Sequence, residues 1–302
     1  MPIYGVLGVT GAPPGKALET LRAELADEMG MYAWGEADAN ADATKVIDVQ
    51  RLARFAYDSE LIGALVYILT DAGGAGADPE GRSRRITAYT AATKTITVEY
   101  AFPAAVTVSD VYELYIAPGM ELPQWDQAIN KAIGEAWPEV WSKRELLIEP
   151  TTDVETYFLP TTQGITEILD VYAAPRGDLD GWPMQRLVKN LDWVTYGEPG
   201  DAYTPIRLRL LHPLSVEHFS LYVDFKYRYP ELNTRESSFL DFPYIMAAAK
   251  ANVYATLGDM THGEAKESGF LQKMNYWRGQ AAERKQMLAA QLLGLPAVGV
   301  RK

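Results

Sequence analysis

The sequence predicts an α+β protein. It divides into a small N-terminal β-barrel or sandwich module, helices packed beside a second antiparallel β-sandwich, and a C-terminal helical segment. Three observations carry this prediction. Two blocks of short runs alternate apolar and polar residues between Gly-, Pro- and Asp-rich turns, the pattern of half-buried antiparallel strands. Between the blocks, Trp125, Ile129, Ala132, Ile133 and Ala136 recur at helical spacing. Beyond the second block, long runs of small and polar residues with sparse apolar positions read as helix. The expected units are 1–118 (N-terminal arm, helix and β-module), 119–142 (helix), 143–235 (β-sandwich) and 236–302 (C-terminal helices and tail).

The chain opens with IYGVLGVTGAPPGKA, residues 3–17, followed by the helix-like LETLRAELADEMG. The outline is that of a phosphate-binding loop, but the chemistry fails. Thr10 stands where the first glycine of that motif belongs, and Ala17 where a Ser or Thr would hold magnesium. Pro13 and Pro14 lack the N–H groups that cradle phosphate. An extended arm, a Pro/Gly turn and a helix over about 16–30 fit better. An Ala/Asp-rich stretch, EADANADATK, comes next, and then the expected strands VIDVQRLARF, ALVYILTD, RRITAYT, KTITVEY and DVYELYI. AGGAGADPEG is a loop by composition, and RRITAYT with KTITVEY forms a hairpin with Ile86, Ile96 and Val98 at alternating positions. Pro123 suits the first turn of the following helix, and Pro138 its end or a kink.

The second block contains ELLIEP, ETYFLP, GITEILDVYAAP, MQRLVKN, LDWVTYGE, YTPIRLRLL and EHFSLYVDFKYRYP. In the last, Phe219, Leu221, Val223 and Phe225 share one face, and Tyr222, Asp224, Lys226 and Arg228 the other. Asp241-Phe-Pro243 then starts a helix rich in small residues. A second helix over about 264–293 looks long and only partly covered, so it is expected to dock on a partner or another domain. Its candidate interface residues are Trp277, Phe270, Met274, Met287, Arg284, Lys285 and Tyr276. The tail LGLPAVGVRK reads as an extended arm.

Composition narrows the function. Hydrophobic residues make up 48% of the 302, enough to bury a core. Cysteine is absent, which excludes disulfides, thiolate metal sites and cysteine nucleophiles. No apolar run reaches the about 18 residues of a membrane span, and MPIYGVLG lacks a basic leader. The expectation is a soluble protein made in a cytoplasm, with no membrane contact. The net charge of −12 makes it a poor candidate for gripping nucleic acid, and would suit a surface past which DNA slides. Arg82, Arg84 and Arg85 are the one dense basic cluster. They are either a contact for DNA phosphate or an acidic partner, or a charged strand edge that discourages aggregation.

Catalytic and metal motifs are incomplete. Asp38, Asn40 and Asp42 match the first ligand positions of a calcium loop, but Ala43 and Val49 replace its glycine and glutamate. His212, His218 and His262 are scattered, and no G-x-S-x-G elbow occurs. Carboxylate pairs such as Glu135/Glu139 and Asp178/Asp180 carry no information without a cleft. The expectation is a protein that is not an enzyme and has no cofactor or metal. Its eighteen Tyr and seven Trp then fit core and interface packing better than a sugar-binding face.

Residues 46–115 resemble a β-module of tailed-bacteriophage structural proteins. The shared features are Arg51-Leu52, Val66-Tyr67-Ile68, a glycine-rich loop, Arg84/Arg85-Ile86, Tyr89, Ile96-Thr97-Val98 and Asp110-Val111-Tyr112-Glu113-Leu114. The helix QAINKAIGEAWP, the β-sandwich and the run FKYRYPEL…DFPYIMAAAKANVYATL resemble the head-to-tail connector, or neck adaptor, family of those phages. The resemblance implies a typically dodecameric ring in the virion neck, below the portal, joining capsid to tail. Its helices and C-terminal segment would meet the portal protein, and its β-domain the next neck or tail protein. Double-stranded DNA would pass through the channel without specific binding. The 1–118 unit exceeds the smallest adaptors, and the resemblance leaves its role open between an outer decoration and a fibre attachment site. The alternative is another tail or baseplate component that binds host-surface glycans. A hydrolase or nucleotide-binding enzyme rests on the imperfect Gly-Lys loop alone.

Overall fold

The structure, a computed structural model, describes residues 16–148, 155–159, 165–175, 185–197, 206–212, 219–233, 237–260 and 264–292. The chain enters as a two-residue strand, β1 (Lys16–Ala17), and turns directly into α1 (Leu18–Glu28). Leu18, Leu21, Leu25 and Ala26 recur at helical spacing and are buried. Gly30, at φ 70°, closes the helix: its N–H donates to Asp27 O at 2.8 Å and Met31 N–H to Ala26 O at 2.8 Å.

Six strands follow: β2 (Tyr32–Glu36), β3 (Lys45–Ile47), β4 (Leu65–Thr70), β5 (Ser83–Thr90), β6 (Thr95–Val98) and β7 (Val111–Tyr115). They form one antiparallel sheet in the order β2-β7-β4-β5-β6-β3. The sheet curls into a half-barrel, so that its two edges approach and Asp38 N–H donates to Ile47 O at 3.1 Å. The expected hairpin is present, with Ile86 opposite Val98 and Tyr89 opposite Ile96. Ile86, Ile96 and Val98 are all in the core with Val46, Val66, Ile68 and Leu114.

Two local readings need correction. VIDVQRLARF is not a strand throughout: pairing stops at Ile47. The Asp48 carboxylate then accepts from the N–H groups of Gln50 and Arg51, at 3.0 and 2.7 Å, and bends the chain into a 3-10 turn at Leu52–Arg54. Conversely, the sequence reading passes over β2, whose alternation is short and interrupted by Gly35.

The central helix, α2 (Leu122–Ala136), has Pro123 in its first turn and a capping box between Glu121 and Gln124. All five apolar positions expected to face inward are buried. The second β block comprises β8 (Ser142–Ile148), β9 (Thr156–Phe158), β10 (Ile165–Pro175), β11 (Gln185–Leu187), β12 (Trp193–Tyr196), β13 (Arg207–Leu210) and β14 (Phe219–Tyr227). Two antiparallel sheets, β11-β10-β14-β8 and β12-β13-β9, share one core that includes Val171, Trp193, Leu208, Leu221 and Val223. Leu221, Val223 and Phe225 face that core as expected, while only the backbone of Phe219 is described. The opposite face differs from expectation. Tyr222 and Asp224 are also buried, because β14 lies between β10 and β8, and Asp224 pairs with Lys143 on β8.

A short strand, β15 (Ser237–Ser238), pairs with β1 and leads into α3 (Phe242–Met260) and α4 (Glu264–Leu292). Asp241 caps α3 by accepting from Tyr244 N–H at 3.0 Å. α3 is buried on almost every side, which its alanines permit, since helices pack against it from both flanks. The helical core unites α1, α2 and α3 with Leu65, Tyr115 and Ala117 of the half-barrel. Helix α1 therefore precedes the β-module in sequence but lies in the helical core. The opening 3–15, the tail 293–302, Asp178, Asp180, His218 and His262 lie outside the described residues.

Candidate interaction surfaces

The seven α4 residues selected from the sequence do not form one outward patch. Phe270 stacks on Tyr254 with ring centroids 6.2 Å apart, and Met274 is buried. Trp277 receives the Lys250 ammonium 4.0 Å from its ring centre, and that buried lysine also pairs with Glu28 on α1 at 2.5 Å. Arg284 forms a two-pronged pair with Asp241, at 2.8 and 2.7 Å. Lys285 donates to Glu135 O and pairs with Glu139, both at 2.6 Å. These five residues fasten α4 to its own molecule. Met287 is half-buried, and Tyr276 alone is largely exposed, its ring set edge-on to Trp277.

The two anchoring carboxylates are tuned accordingly. Burial alone would raise Asp241, but the Arg284 guanidinium and Tyr244 N–H outweigh it and hold the group below its ordinary range. The Lys285 ammonium lowers Glu139 in the same sense.

The basic cluster is likewise dispersed. Arg85 donates to Gly63 O at 2.7 Å and pairs with Glu121, tying the half-barrel to the start of α2. Arg84 donates to Ser83 O and Ala101 O, and its guanidinium lies 5.4 Å from the Phe102 ring. Arg82 is the exposed member, 3.5 Å from Asp78. An anion would have to displace backbone acceptors from Arg84 and Arg85.

The remaining motifs also have local partners. Asp38 accepts from Val49 N–H, Asn40 from Val108 N–H, and Asp42 from Thr44 and Lys45. Lys45 and Thr44 together lower the Asp42 carboxyl to about 2. Lys16 binds Glu24 at 2.7 Å and sits 3.7 Å over the Phe242 ring.

A buried polar joint fixes the half-barrel on the helices. Arg22 on α1 donates to Tyr115 Oη at 3.2 Å and to both Asp126 oxygens at 3.1 Å. Tyr115 and Tyr32 each donate to Glu113 at 2.8 Å. Burial opposes the charge on Arg22, but Tyr115 and Asp126 more than compensate and raise its pKa.

One surface escapes the sequence reading. Across the outer face of the sheet β12-β13-β9, Tyr196 stands opposite Arg207, and Arg207 opposite Phe158. Phe158 is 65% exposed and Tyr196 51%, and the Arg207 guanidinium lies 4.8 Å from the Phe158 ring. In the adjacent row Arg209 pairs with Glu155 at 3.4 Å. Val188 and Leu191, in the turn after β11, are also exposed. The signal was present: Arg207 and Arg209 alternate with buried Leu208 and Leu210, as do Phe158 and Tyr157 on β9. What no local pattern gives is the pairing that brings three strands' outward residues into one row. The half-barrel has its own exposed aromatics, Trp34 under the Arg51 guanidinium, Tyr57 and Tyr100.

Among the described residues, no three His, Cys, Asp or Glu side chains are placed to hold a metal ion, and no helix is long and apolar enough to cross a membrane. Comparison with protein-family models and with curated proteins finds no match.

Proposed function

We propose that this chain is a structural protein of a tailed-phage virion. It acts as a head-to-tail adaptor, assembling with copies of itself into a ring below the portal and lining part of the DNA channel. Its neighbours are the portal protein on one side and the next neck or tail protein on the other. Its work is association, not catalysis, and it is made in the host cytoplasm.

The observation that carries this proposal is the exposed Tyr196–Arg207–Phe158 row on the sheet β12-β13-β9. Tyr, Phe and Arg are the residues enriched at protein interfaces, and rings flanking a guanidinium bury well against a flat partner. The phage-like order of half-barrel, helix, sandwich and helices supports the same function, as does the acidic balance, which would not hold passing DNA. The same rings would also stack on sugars, which keeps host-glycan binding by a tail or baseplate protein as the second reading. Electron microscopy of virions carrying a labelled copy of this protein separates the two. A ring at the neck is expected, and label confined to the baseplate or fibres would overturn the proposal.

A further inference from the structure

The turn after β3 sets two arginines side by side. Arg51 and Arg54 stand three residues apart at the 3-10 turn, where side chains at that spacing eclipse one another. The turn is firmly held. Leu52 is buried, and the Tyr89 hydroxyl donates to Leu52 O at 2.9 Å and to Phe55 O at 3.2 Å. Both guanidiniums reach back to β2, whose outward positions are Tyr32, Trp34 and Glu36. Arg51 lies 4.7 Å from the ring centre of Trp34, which is 50% exposed. Arg54 donates to Tyr32 O at 3.4 Å, and its guanidinium lies 4.8 Å from the Phe55 ring.

Neither arginine has a carboxylate partner among the described residues, although the chain holds 40 acidic residues. The carboxylates of this region are engaged by backbone instead. Asp38 accepts from Val49 N–H, Asp48 from Gln50 and Arg51, Asp58 from Ala91 and Glu60 from Tyr57. Two like charges placed together without a counter-charge repel, and an anion from outside would relieve them. Arg84 and Arg85 differ, since an anion there would displace existing bonds. Arg51 commits none of its side-chain donors to the described residues, and Arg54 only the one to Tyr32 O.

Spacing narrows the ligand. Tyr32 and Trp34 are two residues apart on a strand, so the two guanidiniums are set on the order of 7 Å apart. An extended peptide repeats its same-face side chains at the same interval of about 7 Å. Acidic residues at alternate positions would thus give each guanidinium its own carboxylate. The Trp34 ring holds the Arg51 fork in place, which lowers the ordering cost of pairing. Nucleic acid fits less well. It needs a run of cations, and this face offers these two and Lys94 in a chain of net charge −12.

We propose that Arg51, Arg54 and Trp34 form a docking site for an extended acidic segment of another protein, with Asp or Glu at alternate positions. This goes beyond the adaptor function and stands or falls independently of it.

The test uses the full-length chain with isotopically labelled arginine and the peptide ETETETET. Arg51→Lys and Arg54→Lys identify the two side-chain Nε–Hε resonances. On titration at low ionic strength these two are expected to move and saturate, while those of Arg22, Arg85 and Arg284, bonded internally, stay in place. Arg51→Gln with Arg54→Gln should weaken binding of the labelled peptide about fivefold or more. Its thermal midpoint should stay near that of the parent, because both side chains are exposed. The peptide EETTEETT, with no Glu at alternate positions, should bind more weakly. Arg51 and Arg54 resonances that stay in place would overturn the proposal, as would equal affinity of parent and double variant or of the two peptides. Tighter binding of octathymidylate than of ETETETET would also overturn it and assign the site to nucleic acid.

Discussion

Gly35 has no room for a side chain. A Cβ there would lie 2.4 Å from Asp48 Oδ2 and from Tyr112 Oη, which are hydrogen-bonded to one another at 2.8 Å. Asp48 is buried and also holds the turn after β3 through two backbone N–H groups. One glycine thus lets an edge strand close over a buried carboxylate that shapes the next element. We expect Gly35→Ala to cost about 2 kcal/mol or more in chemical denaturation, from forced displacement of that pair. Arg22 has the same character at the joint between half-barrel and helices. Arg22→Met should cost about 3 kcal/mol, because it leaves Asp126 with no cationic partner while Tyr115 keeps its bond to Glu113. Equal unfolding midpoints for Arg22→Met and the parent would show that the joint contributes nothing to stability.

At the scale of elements, α4 is held by polar clamps as much as by its apolar stripe. Asp241 and Glu139 are both held below their ordinary range in the folded chain. Their contribution is therefore present above the unfolded carboxylate pKa, about 4, and is lost as pH falls through the lower folded values. Hydrogen exchange should show α4 amides losing protection below about pH 4 before those of α2. Arg284→Ala with Lys285→Ala should produce the same loosening at neutral pH, at a cost of about 1 kcal/mol given the partial exposure of both pairs. Helix α2 and the β5–β6 hairpin were legible because proline placement and periodicity act within one element. The turn after β3 was not, because the Asp48 side chain overrides a run of β-forming residues. The inward use of Trp277, Phe270 and Arg284 was not legible either. A helix stripe has the same spacing whether it meets its own molecule or another, and only Lys250, Tyr254 and Asp241, brought in by the fold, decide which.

At the scale of the whole molecule, both β-modules carry exposed aromatics, while the helices are tied together by internal pairs such as Arg22–Asp126, Lys250–Glu28 and Arg284–Asp241. That division suits a building block that meets several neighbours at once. Phe158→Ala with Tyr196→Ala should leave the thermal midpoint within about 1–2 °C of the parent, since both rings are mostly in solvent. The same variant should weaken self-association by tenfold or more if each ring contributes about 1 kcal/mol. The most direct measurement is native mass spectrometry of the purified chain, alone and with the portal protein that the proposed function requires. A single closed ring, formed alone or on the portal and lost in the Phe158/Tyr196 variant, is the expected result. A chain that stays monomeric at every concentration and in the presence of the portal would contradict the account.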